Sequence, residues 1–147
     1  MNDILSRQML LKSFSKDSVS LAKYAQADLL KFQKKYAEAA EEFSELSRGK
    51  NNLRSLAGRE ASKLLLKMEK YDESKDVLGP LLTDIAEDKD HDELIFLLAE
   101  CEEKLNHLHT ALDLYNELLI KYPNSLFIQE ARKKARSLNS KLSQERI

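Results

Sequence analysis

Three stretches of this chain repeat one order of small and large side chains, and that recurrence constrains the fold more than any other feature. The first stretch reads Ala27, Leu30, Tyr36, Ala39, Phe43 and Leu46. The second reads Ser62, Leu65, Tyr71, Ser74, Leu78 and Leu81, and the third Ala99, Glu102, Leu108, Ala111, Tyr115 and Leu118. Tyr36 and Tyr71 are 35 residues apart, and Tyr71 and Leu108 are 37 apart. A small residue in a first helix (Ala27, Ser62, Ala99) admits a second helix closely, and a small residue near the start of the second (Ala39, Ser74, Ala111) does the same in return. The large side chain one turn on (Phe43, Leu78, Tyr115) then fills the space between neighbouring helix pairs. Only 3 Gly and 2 Pro, with 33% charged and 42% hydrophobic residues, suit long amphipathic helices joined by few turns. The composition is all-α.

Periodicity and punctuation predict eight helices, over 2–14, 18–33, 36–48, 53–69, 72–87, 92–105, 109–121 and 125–143. Gly49 is placed to end the third, Asp72 to start the fifth, and Asp90 with Glu93 to form a capping pair at the sixth. Pro80, preceded by Gly79, falls inside the fifth helix, where a missing N–H and a crowded ring predict a kink or break. Pro123 closes the seventh helix, and Asn124 or Ser125 can cap the eighth. The first helix, with Ile4, Leu5, Met9, Leu10 and Phe14, reads as the second helix of an incomplete earlier unit. The last carries Leu126, Ile128, Ala131, Ala135, Leu138 and Leu142 on one side and Arg132, Lys133, Lys134, Arg136 and Lys141 elsewhere, the polar end cap that a stacked array needs.

This pattern resembles the tetratricopeptide repeat family over about residues 20 to 140. The third unit carries the likeness best, with Leu-Leu-Ala at 97–99, His-Thr-Ala-Leu-Asp-Leu-Tyr at 109–115 and the exit Tyr122-Pro123-Asn124-Ser125. The first is close behind, with Lys-Lys-Tyr-Ala-Glu-Ala-Ala-Glu-Glu-Phe at 34–43. The resemblance implies a right-handed superhelical solenoid of about three helical hairpins in one domain spanning 1–147. Its parts are an N-terminal packing helix at 1–17, repeats at 20–51, 55–87 and 92–123, and a C-terminal capping helix at 125–143. The third repeat and its exit also resemble bacterial envelope-associated repeat proteins, implying an envelope or periplasmic location for a chain cut from a longer protein and a cytoplasmic one otherwise.

In this family the first helix of each hairpin lines a concave groove that receives a peptide or helix. Carried onto this sequence, the groove displays Leu21, Tyr24, Asp28, Lys31 and Phe32, then Leu56, Arg59, Glu60 and Lys63, then Glu93, Phe96, Glu100 and Glu103. Tyr24, Phe32 and Phe96 are candidate anchors for an apolar side chain, with the charges setting register; packing between helices is the alternative role for one or two of them. Family members that clamp the carboxylate of chaperone tails use lysine, asparagine and arginine where this chain has Tyr24, Asp28, Glu60, Glu93 and Leu97, so that use is not expected. The resemblance thus implies a non-catalytic scaffold for a protein or peptide partner. The alternative is a spacer or self-assembly module of a larger envelope protein, through the acidic connector at Asp84, Glu87, Asp88, Asp90, Asp92 and Glu93 and the basic last helix.

Other functions lack a chemical basis in the sequence. A formal charge of −1 gives no global field toward nucleic acid or anionic lipid, and Lys133, Lys134 and Arg136 have no stacking aromatics beside them. Neither a phosphate loop nor a nucleophile motif is present, so no catalysis, small-molecule substrate or cofactor is expected. His91, Cys101, His107 and His109 do not have metal-site spacing, and the single cysteine excludes an internal disulfide. Apolar runs such as Ile95 to Ala99 fall far short of the ~20 residues that span a bilayer, so direct membrane insertion is not expected either.

Overall fold

The computed structural model describes residues 18–84 and 91–145. Its helices are α1 (Ser18–Phe32), α2 (Tyr36–Arg48), α3 (Arg54–Lys67), α4 (Tyr71–Asp84), α5 (His91–Lys104), α6 (Leu108–Lys121) and α7 (Ile128–Glu145), with no strand among the described residues. The expected helix at 2–14, the Asp90 cap and the connector residues Glu87, Asp88 and Asp90 lie outside that set.

The hairpins share one turn. Lys34, Glu69 and Asn106 stand at the same place in the three units, and each adopts the left-handed conformation, with φ of 63°, 61° and 65°. Behind each, the next residue's N–H reaches back five positions: Lys35 to the Leu30 carbonyl (2.9 Å), Lys70 to Leu65 (2.8 Å) and His107 to Glu102 (2.8 Å). This satisfies a carbonyl that the end of the first helix leaves open. Between hairpins the endings differ. Gly49 caps α2 as expected, its N–H on the Leu46 carbonyl, though in an extended conformation (φ −85°) rather than a left-handed one. Ser125 caps the last turn by accepting the Phe127 N–H at 3.1 Å while donating to Asp92, and so α7 begins at Ile128 rather than at 125.

Two expectations need correction. Of the kink or break expected at Pro80, the break does not occur: helix α4 is continuous through it. Pro80 is exposed, and the Thr83 hydroxyl bonds the Gly79 carbonyl at 3.1 Å. Leu126 does not join the apolar side of the last helix: it sits in the turn before α7, 97% exposed.

Each helix packs on the next along the chain, and α5 also touches α3. The small residues Ala27, Ala39, Ser62, Ser74, Ala99 and Ala111 are all fully buried, which lets paired helices approach until Phe43, Leu78 and Tyr115 fill the gaps. Gly58 performs a similar service for α3, since a Cβ there would lie 2.1 Å from Leu81 Cδ1. The core forms two clusters that meet on α5. Leu94, Leu97 and Cys101 belong with the first two hairpins, whereas Ile95, Phe96 and Ala99 belong with α6 and α7. A helix apolar on both sides is what an interior element of a stack requires.

Candidate partner-binding site

The face made by the first helices α1, α3 and α5 brings six of the candidate groove residues, Lys31, Arg59, Glu60, Lys63, Glu93 and Glu103, into a ladder of ion pairs. Lys31 Nζ on α1 meets Glu60 Oε2 on α3 at 2.7 Å. On α3, Arg59 Nη1 and Lys63 Nζ both meet Glu93 of α5, each at 2.7 Å. The ladder continues to α7, where Lys134 Nζ lies 3.5 Å from Glu103 Oε1, which also accepts the Tyr115 hydroxyl at 3.0 Å. Burial pushes the Glu93 carboxyl up, but hydrogen bonds from Lys63 and Arg59 outweigh it and hold the group below its ordinary range. Glu100 carries no such pair of donors, and burial raises it, Lys134 offsetting only part of the effect. Asp28 is half-buried on α1.

The aromatic candidates separate into three environments. Phe32, at the end of α1, is 79% exposed. Tyr24 is half-buried, edge-on to Phe43 with ring centroids 5.2 Å apart, and burial with Glu60 and Asp28 nearby raises its hydroxyl pKa well above the ordinary value. Phe96 stands at the position of Tyr24 two units on and makes the same edge contact, to Tyr115 at 5.8 Å. Unlike Tyr24 it is covered, because Phe127 stacks on it at 5.1 Å as the chain enters α7. At 7% exposure Phe96 is a core residue, and so is Leu21 at 5%; neither presents a surface for a ligand. The intervening unit has Arg59 at that position, which turns the aromatic site into a charged one.

Sequence reasoning placed these charges on one face but did not pair them. The available signal was opposite charge about one repeat apart: Lys31 with Glu60, Arg59 with Glu93, Glu103 with Lys134. It also missed Glu102, a carboxylate buried to 5% exposure that Lys75 Nζ and His107 Nδ1 both hold at 2.7 Å. Burial raises the Glu102 pKa, but these two partners outweigh it and leave the group below its ordinary value. Cys101 and His91 are buried, while His109 is exposed; among the described residues no three side chains gather as a metal site. No described helix is long and apolar enough to cross a membrane.

No curated protein matches the chain. Residues 93–125 match the tetratricopeptide repeat family, a segment covering nearly all of α5, the whole of α6 and the turn into α7. That family is generally non-catalytic and serves protein–protein interaction. The matched segment stands among hairpins that share its turn, its small residues and its packing order, so the described residues form an all-α stack of tetratricopeptide-like helical hairpins.

Proposed function

We propose that the chain is an interaction scaffold whose first-helix face receives a peptide or helix of a partner protein. The observation that carries this reading is Phe32: a large aromatic, 79% exposed, next to the Lys31–Glu60 pair and on the same helix as half-buried Tyr24. Such an anchor beside charges already held in place suits an occupant with one apolar side chain and polar flanks. Because Lys31, Arg59 and Lys63 are engaged with carboxylates, the face carries little free charge of either sign, and recognition rests on shape and the aromatic anchor. A photo-crosslinking residue placed at Phe32 or Lys63 should capture the same partner, and one at exposed Glu45 on α2 should not. Capture from Glu45 alone would count against the groove.

A spacer or self-assembly role is the second reading, and it draws on the exposed basic residues Arg132, Lys133, Arg136 and Lys141 of α7. Light scattering across salt concentration separates the two: a strict monomer at low salt removes self-assembly.

A further inference from the structure

The strongest feature outside the first-helix face is a groove of about 480 Å³ between the second helices α2 and α4. Ala40, Ser44 and Ser47 of α2, Leu65 of α3 and Val77 of α4 form its floor, and all five are buried. Exposed carboxylates line both walls, Glu38 and Glu41 on one side and Glu73 and Asp76 on the other, against the two cations Arg48 and Lys70.

The repeat explains why this space is open. Thirty-five residues on from Ala40 and Ser47, the matching places on α4 hold Lys75 and Leu82; 37 on from Leu65 stands Glu102. In that second position between hairpins the chain fills the groove itself. Lys75 spans to Glu102, with His107 on the other oxygen, and Leu82 packs against both core clusters. In the first position a methyl and a hydroxymethyl group stand where a lysine and a leucine stand in the second. Ser44 lies on the floor between them, 8% exposed.

We propose that this groove is a second docking site, taking a basic amphipathic helix of a partner protein. An apolar side chain of that helix occupies the space that Leu82 fills one repeat later. A neighbouring lysine or arginine meets Glu41 or Asp76 as Lys75 meets Glu102. Charge selects the occupant, since four carboxylates against two cations favour a basic segment and repel an acidic one. The site goes beyond the first-helix reading and stands or falls separately from it.

The test titrates the isotopically labelled full chain with an amidated leucine–lysine helical peptide of about 18 residues, leucines at heptad spacing, and with its leucine–glutamate counterpart. The lysine peptide should give saturable shifts centred on Ala40, Ser47 and Val77, and the glutamate peptide none. Filling the groove with Ser47→Leu, and separately reversing the exposed walls with Glu41→Lys plus Asp76→Lys, should each weaken binding by about tenfold or more. Phe32→Ala should leave it unchanged. Three results overturn the proposal: no saturable shifts, shifts scattered over the acidic surface that survive Ser47→Leu, or concentration-dependent self-association that Ser47→Leu abolishes, which assigns the groove to a second copy.

Discussion

The hydroxyl oxygens of Ser62 and Ser74 lie 2.7 Å apart, in the positions that hold Ala27 and Ala39 in the first hairpin and Ala99 and Ala111 in the third. Ser74 also donates to the Ser62 carbonyl at 3.3 Å, so the Ser62 hydroxyl is the one that depends on its partner. Both residues are fully buried. Ser74→Ala should therefore destabilise by about 1–3 kcal/mol through the orphaned Ser62 hydroxyl, with Ser62→Ala milder and the double alanine variant close to wild type. Urea unfolding of the four proteins gives the coupling directly. Additive single effects would mean that the pair does not act as a unit.

The left-handed turns offer a gain in stability. Lys34 and Glu69 adopt φ near +60° without being glycine, whereas Asn106 is a residue that tolerates this region. Lys34→Gly or Glu69→Gly should stabilise by roughly 0.5–1 kcal/mol, less at Asn106, because relief of the side-chain clash exceeds the added freedom of the unfolded chain. For a domain of this size that is a rise of about 1–4 °C in Tm. A fall in Tm for both glycine variants would contradict the assigned turn.

The buried Glu102 sets an acid-side dependence. Its carboxyl titrates below its ordinary 4.5 in the folded chain, so the stabilisation it gives is present above that value and is lost as pH falls below it, through the depressed folded value. Glu93 acts in the same direction. Lys75, raised by its hydrogen bond to Glu102, gives stabilisation that is present below its ordinary 10.5 and is lost as pH climbs through the raised folded value. Denaturation midpoints at pH 7 and pH 3 should differ less in Glu102→Gln than in wild type.

Phe96→Ala should cost about 3–5 kcal/mol, as a buried aromatic stacked between Tyr115 and Phe127. Phe32→Ala should change thermal stability hardly at all, given its exposure. Thermal melts of the two variants check this, and the same melts qualify Phe32→Ala as a partner-binding probe.

The repeat, the helices and the residues inside them were legible from the order of small and large side chains, because packing at Ala27, Phe43 or Leu118 is dictated by size alone. That α4 would continue unbroken through Pro80 was not legible, because whether a helix tolerates an internal proline depends on its tertiary surroundings. Phe96 misled for a related reason: it and Tyr24 occupy one repeat position, and only the arrival of Phe127 from the next helix buries one and leaves the other half-open. The turns at Lys34 and Glu69 carried no glycine to announce them. The groove beside Ala40 becomes visible only when it is set against Lys75, a comparison between two places in one chain.

Helix α5 contributes one side to each core cluster, with Leu82 as the other residue that touches both. A stack whose halves share a single wall transmits loss of order through that wall, so damage to the C-terminal half lowers the barrier to opening the N-terminal half only as far as α5 itself loosens. Its amides should be the slowest in the molecule to exchange with solvent, and they set the size of the cooperative unit.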